Sequence, residues 1–162
     1  MKLKQLTVQD GREVYEMLQR IGRDENAFSN IVNGMSYEDY KKWLIQQDEW
    51  SRDSCLQEGY VGQTTYWLMD GPVPVGYGKI RHQLTEKLRQ AGGNVGYAID
   101  PLYRGKGYGT CLMRELVKTA GERGIKEILA TVEKNNYPSK KAIEKCGGKL
   151  IDENDSRWFF EL

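Results

Sequence analysis

Long apolar runs are missing from this sequence, and nothing approaches the roughly 20 consecutive apolar residues that a membrane-crossing helix requires. The opening residues, Met1-Lys2-Leu3-Lys4-Gln5-Leu6-Thr7, also lack the apolar core of an export signal. Neither a membrane span nor a secretory leader is expected, and a cytoplasmic location is the expectation that follows. An excess of one charge is missing too. With 24 basic and 23 acidic side chains, no electrostatic footprint for nucleic acid or an anionic membrane surface is present. The expected partners are small molecules, peptides or specific protein surfaces, with a homodimer left open. The three cysteines, Cys55, Cys111 and Cys146, never form a Cys-x-x-Cys pair, which argues against a disulfide framework or a zinc site. No metal is expected. At 162 residues the chain has the length of one domain, residues 1–162, with room for a sizeable core.

What the sequence does have is concentrated between Val95 and Thr110. Val95, Tyr97 and Ile99 alternate as in a strand, Asp100-Pro101 ends it, and Gly105, Gly107 and Gly109 follow at every second position. Then Leu112, Met113, Leu116, Val117 and Ala120 form a helical stripe that Gly124 is placed to stop. A strand that feeds a glycine-rich loop and then a helix is suited to holding an anion. The first amides of a helix lack partners within it, the helix dipole adds positive potential, and glycine lets the backbone approach closely. Arg104 and Lys106 bring further positive charge, so a phosphate or pyrophosphate is the expected ligand.

Spacing narrows the choice. A P-loop requires Lys-Ser/Thr after its last glycine, and here Gly109 precedes Thr110-Cys111. The dinucleotide fingerprint requires Gly-x-Gly-x-x-Gly, which is also absent. Arg104-x-x-Gly107-x-Gly109 instead resembles the Arg/Gln-x-x-Gly-x-Gly/Ala loop of the GCN5-related N-acetyltransferases (GNAT), and the likeness extends over about residues 63–148. The stretch Arg81-His82-x-Leu84, then Gly92-Gly93 and Gly96-Tyr97, is similar to a group of predicted acetyltransferases without a settled substrate. The resemblance implies an α/β fold of the acyl-CoA N-acyltransferase kind: a central twisted mixed sheet of about six to seven strands flanked by about four helices.

The remaining elements follow from pattern. Residues 3–6 suggest a first strand. Asp10 is a plausible cap for a helix bearing Val14, Met17, Leu18 and Ile21, and a second helix is expected after Ser36. Residues 22–34 read as polar and irregular, and residues 46–53 as a solvated segment. Residues 63–69 and 73–80 read as a hairpin across Asp70-Gly71-Pro72, residues 85–90 as a short helix, and residues 127–133 as a strand parallel to the Val95 strand through a right-handed crossover. A helix from Tyr137-Pro138-Ser139 and a closing hairpin across Asn154-Asp155-Ser156 complete the chain. Cys111 and Cys146 read as small buried hydrophobes. Phe28, Trp43 and Trp50 are either core residues or contacts of an acceptor pocket.

The resemblance also implies a mechanism. Acetyl-CoA is the cosubstrate, bound through its pyrophosphate on Arg104, Gly105, Lys106, Gly107, Tyr108, Gly109 and Thr110. Its pantetheine arm pairs with the backbone of Tyr97, Ala98 and Ile99, as a peptide pairs with a strand edge. Asn136 and Ser139 match the family's second cofactor motif, although Asn136 is equally well placed to cap a helix. Many members carry a Tyr where this chain has Ile143, so the usual proton donor to the departing thiolate is absent. Tyr137 or Tyr108 could supply a phenol, or water could serve, since a thiol pKa is about 8.5. A primary amine of a small molecule or peptide must lose a proton to attack, and His82 and Glu133 are the candidate bases. A noncatalytic acyl-CoA binding or sensing module is the alternative reading.

Overall fold

The computed structural model describes all 162 residues. In chain order the elements are β1 (Lys2–Gln5), α1 (Arg12–Arg20), β2 (Asp24–Glu25), β3 (Phe28–Ser29), α2 (Tyr37–Ser51), β4 (Gln63–Asp70), β5 (Val73–Arg81), α3 (Glu86–Gln90) and β6 (Val95–Ile99). A 3-10 turn (Pro101–Tyr103) then leads to α4 (Tyr108–Glu122), β7 (Leu129–Glu133), α5 (Tyr137–Lys145), β8 (Lys149–Glu153) and β9 (Arg157–Glu161). No helix is long and apolar enough to cross a membrane.

The strands form two antiparallel sheets, ordered β1-β4-β5-β6 and β7-β9-β8, beside the small β2-β3 hairpin. No ladder of backbone hydrogen bonds joins β6 to β7. The two strands meet only at their starts, where Asn94 N–H donates to the Leu129 carbonyl (2.8 Å) and the Asn94 side-chain oxygen accepts from Leu129 N–H (2.9 Å). Asn94 is buried, and its amide also donates to the Arg81 carbonyl (3.3 Å). One side chain thus ties together the end of β5, the start of β6 and the start of β7. Beyond that junction the strands separate. Five helices, the short α3 among them, accompany the sheets.

Each face of the sheets has its own core. Leu112, Leu116 and Ala120 of α4 and Ile143 of α5 pack with Ile80, Val95, Ala130, Val132 and Phe160 on one side. Met17, Leu18, Tyr40, Trp43 and Leu44 pack with Trp67 and Tyr77 on the other. Gly76 and Gly78 on β5 let α4 lie close, because a Cβ at Gly78 would stand 2.9 Å from the Leu116 methyls.

Three expectations are corrected. Asp10 does not cap α1, which starts at Gly11 without a side-chain cap. The Asp10 carboxylate is buried instead, where it accepts from Thr7 N–H (2.8 Å), Trp67 Nε1 (2.7 Å) and Lys4. Residues 46–51 are not a solvated segment but the last turns of α2. Its buried face continues through Gln47 and Trp50, and Gln47 hides the apolar period because it is a polar core residue bonded to Gln63 (3.0 Å) and Thr65 (3.3 Å). Residues 22–34 contain the β2-β3 hairpin, pinned by buried Asn30, whose amide donates to the carbonyls of Leu18 (2.8 Å) and Ile21 (2.9 Å). That hairpin places Glu25 and Phe28 against the functional site.

Candidate functional site

The helix α4 opens at Gly107, whose φ of +85° is a left-handed conformation that glycine adopts without strain. No side chain caps this end, so its first amides stay available. Gly105 has φ +75°, and a Cβ at either glycine would meet nothing within 4 Å. The backbone therefore faces open space at the positive end of a four-turn helix. Arg104 stands beside it, donating from Nε to the Ile99 carbonyl (3.0 Å) and pairing with Glu25 of the hairpin. The approach to the loop is fixed by buried Asp100, which accepts from Leu102 N–H (3.0 Å) and pairs with Arg20 (2.7 Å).

From this loop a cavity of about 560 Å³ runs along β6 toward Arg81 and Gly92. It is lined on one side by Tyr97, Ile99 and Met113, on another by Thr131 and Val132 of β7, and by Asn136, Ser139, Ala142 and Ile143 of α5. The β2-β3 hairpin covers it through Glu25, Phe28 and Ser29. Side chains alternate between faces along a strand, so the lining residues can be sorted. Ala130 and Val132 belong to the α4-α5 core, whereas Thr131 and its neighbour Glu133 point to the opposite face. Residues of both faces line one cavity, which therefore passes through the gap between the sheets.

The gap exposes a strand edge. Arg81 N–H donates to the Asn94 carbonyl (2.7 Å) and Asp100 N–H to the Val75 carbonyl (3.0 Å). In an antiparallel ladder bonded pairs alternate, so the backbone groups of Gly96 and Ala98 are turned to β5, and those of Tyr97 and Ile99 to the gap. Arg104 already occupies the Ile99 carbonyl, which leaves both groups of Tyr97 and the Ile99 N–H facing the opening.

The structure brings together most of the residues singled out in the sequence. Tyr97, Ala98, Ile99, Arg104, Gly105, Gly107, Gly109, Thr110, Asn136 and Ser139 all line the cavity. Asn136 caps α5, accepting from Ser139 N–H (3.3 Å). Ser139 Oγ donates to the Tyr97 phenol (3.0 Å), which rests against Gly109; burial pushes the phenol pKa up, partly offset by that bond. Lys106 and Tyr108 lie outside the lining. Lys106 donates to the Leu102 carbonyl (3.3 Å), and the Tyr108 hydroxyl donates to Asp70 (2.5 Å).

None of the expected proton carriers lines the cavity. His82 lies between Thr64 Oγ1 (2.8 Å, Nε2) and Asp53 Oδ1 (3.0 Å, Nδ1), and Thr64 is fully buried. Both ring nitrogens are engaged there. Glu133 stands 3.9 Å from Arg157, its cross-strand partner. Tyr137 is exposed, with its ring edge against Trp158. Of the three aromatics left open, Trp43 is core, Trp50 packs against Tyr60, and Phe28 is buried and also lines the cavity.

The sequence assigned no role to several other lining residues, although Arg81 belongs to the Arg81-His82-x-Leu84 stretch and Phe28 was left open as a pocket contact. Arg81 and Arg157 sit at strand ends, where a charged residue looks like a solvated terminus, and the hairpin bearing Glu25 and Phe28 is only two residues per strand. Lys79 stands behind the lining, buried, with Nζ donating to the Ser29 carbonyl (2.6 Å) and lying over the Phe28 ring (4.5 Å). Burial, helped by the nearby Arg81 charge, lowers its pKa to about 7. No cluster of His, Cys, Asp and Glu is arranged to hold a metal ion.

A split sheet traversed by a cavity, with an uncapped helix and a cationic glycine loop at one end, defines a protein built to hold a long ligand with an anionic end. The chain belongs to the acetyltransferase (GNAT) family, whose pattern it matches over residues 13–148. It is 30% identical over 110 residues to YwnH of Bacillus subtilis (strain 168), a provisionally assigned phosphinothricin acetyltransferase; that match spans 68% of this chain and 61% of the relative. In fold it is similar to the Campylobacter jejuni N-acetyltransferase PseH in complex with acetyl coenzyme A, with TM-score 0.65 at 18% identity over 99% of this chain and 96% of that one. It is also similar to RimL, a ribosomal L7/L12 alpha-N-protein acetyltransferase in complex with coenzyme A, with TM-score 0.72 at 12% identity over 99% and 92% of the two chains.

Proposed function

We propose that the protein is an acetyl-CoA dependent N-acetyltransferase that acts on a primary amine. The observation that carries this reading is the cavity through the split sheet, which joins the glycine loop on one face to a chamber under the β2-β3 hairpin on the other. The cosubstrate is acetyl-CoA, whose thioester supplies the acetyl group. Its fit rests on the open space above Gly105 and Gly107 and on the uncapped amides of α4. Arg104 would sit beside the phosphates, and the exposed cations Lys141 and Lys145 of α5, which form no ion pair, line the same side. The free backbone groups of Tyr97 and Ile99 would hold the amides of the pantetheine arm.

The acceptor amine enters from the hairpin face. No unengaged carboxylate or imidazole lines that chamber, since Glu25 is paired with Arg104. The amine therefore loses its proton to water, and the cationic surroundings assist by disfavouring the ammonium form. With Ile143 in the cavity wall and Tyr137 and Tyr108 outside it, the departing thiolate likewise takes its proton from water. Calorimetric titration with acetyl-CoA, followed by thiol release across an amine panel, tests the reading. Binding with release is expected. Tight binding without release for any amine would favour the sensing module, and absence of binding by the folded protein would overturn the loop assignment.

A further inference from the structure

Arg81 is hard to account for as a structural residue. It ends β5, lines the cavity, and is half-buried with no carboxylate partner. One of its terminal nitrogens, Nη1, donates to the carbonyls of Gly92 (3.2 Å) and Gly93 (3.1 Å). Its other donors, Nε and Nη2, bond to nothing in the protein. Removing an ion from water carries a heavy desolvation cost, and two carbonyls do not neutralise it as a carboxylate does. The unused Nε–Nη2 edge is a planar fork whose geometry matches a carboxylate or a similar oxyanion with two parallel hydrogen bonds.

The surroundings add positive potential. Tyr77, Lys79 and Arg81 alternate onto the hairpin face of β5, where Lys79 lies over Phe28. Arg157 is opposite Glu133 on β7, so it points to that same face, and it too lines the cavity. Its side chain keeps only 18% of its exposure, donates no hydrogen bond, and stands 3.9 Å from Glu133, beyond hydrogen-bonding reach. Against Arg81, Arg157 and Lys79 this face sets Glu133 and Glu25, and Glu25 is committed to Arg104.

The anion in question is not a phosphate of the cosubstrate. Arg81 lies beside Gly92 and Gly93, before β6 begins, whereas the phosphate loop follows the end of β6. Five extended residues separate the two ends by roughly 16 Å at about 3.3 Å per residue. We infer that the acceptor amine carries an acidic group, a carboxylate or phosphonate, which the free edge of Arg81 grips while Arg157 supplies the field. Amino acids and aminoalkylphosphonates are then substrates of this site. Polyamines and aminoglycosides, which bring only further positive charge, are excluded. The inference rests on the acetyltransferase reading and narrows its acceptor.

The test uses the full chain with acetyl-CoA and matched acceptors: the standard amino acids, their α-amides, the corresponding decarboxylated amines, aminoalkylphosphonates and spermidine. An acid-bearing amine is expected to exceed its amide and its decarboxylated counterpart in kcat/KM by tenfold or more. Which acids react, carboxylates or phosphonates, identifies the oxyanion. Arg81→Ala should raise KM for the best acid-bearing amine by about 10- to 100-fold, the range for loss of a charge-assisted hydrogen-bonded pair, with little change in kcat. Arg81→Lys keeps the charge without the fork, and covers the case in which the alanine variant fails to fold. It should lose most of the preference for acid over amide while binding acetyl-CoA as the wild type does. Equal use of amides or spermidine, turnover of no acid-bearing amine, or a preference unchanged in Arg81→Lys would overturn the inference and leave acetyl transfer intact. Failure of the wild-type protein to bind acetyl-CoA would overturn the reading beneath it.

Discussion

Arg104 and Glu25 form an ion pair across 79 residues of chain, fastening the β2-β3 hairpin to the loop that opens α4. The pair holds a negative charge where an anionic ligand is expected. Under the proposed function, ligand phosphates and Glu25 would compete for one guanidinium.

Glu25→Gln should tighten coenzyme A binding severalfold, and Arg104→Gln should weaken it about tenfold, consistent with gain or loss of one charge-assisted contact. The effect on folding should be small, because Arg104 is 46% exposed and such pairs contribute about 1 kcal/mol or less. Calorimetry beside thermal unfolding separates the two quantities. Weaker binding by Glu25→Gln would mean that hairpin closure matters more than the competition.

At Gly107 stability and binding should part company. Ala in the left-handed conformation costs about 1–2 kcal/mol, and its methyl group would touch no protein atom. The substituted position faces the expected pyrophosphate, so Gly107→Ala should lose more in coenzyme A affinity than in folding free energy. Equal losses would move the phosphate away from this residue.

His82 should prove structural. It links residue 53, in the segment after α2, to Thr64 on β4, so His82→Ala should lower the melting temperature by a few degrees while kcat and its pH profile stay unchanged. The rate should instead climb with pH as the acceptor amine deprotonates. A profile that loses a pKa in His82→Ala would restore the imidazole to the mechanism.

Lys79 predicts a pH dependence of stability. Its amine is lowered from 10.5 to about 7 in the folded protein, so between these values the unfolded chain binds more protons than the folded one. Stability contributed by this residue therefore rises with pH from about 7 to about 10.5, and below pH 7 the buried charge exerts its full penalty. Subtracting the melting curves of Lys79→Met from those of the wild type should isolate that slope. A flat difference would place the charged amine comfortably in its site.

The glycine loop and its two flanking elements were legible because local chemistry dictates them: alternation in Val95–Ile99, glycines where the chain needs positive φ, and a helical stripe after Thr110. Asn136 and Ser139 were legible for the same reason, since a cap and its third residue stand three apart. Arg81 and Arg157 were not, for their meaning lies in contacts across the gap rather than in neighbours along the chain. His82 misled in the opposite way. A lone imidazole invites a catalytic role, but its partners Asp53 and Thr64 come from 29 and 18 residues away and engage both nitrogens. The end of α2 was hidden by Gln47, a polar side chain whose burial is justified only by Gln63 and Thr65 on a different element.

Unpaired strand edges usually lie at the rim of a protein, where they invite the strand of another molecule. By joining β6 to β7 at Asn94 alone, this fold moves such an edge into its interior, roofed by a hairpin and walled by α5. A flexible single chain of amides can thread to it, whereas a second protein's sheet is too wide to enter. The architecture thus separates two properties that normally travel together, openness to a backbone-like ligand and the tendency to aggregate.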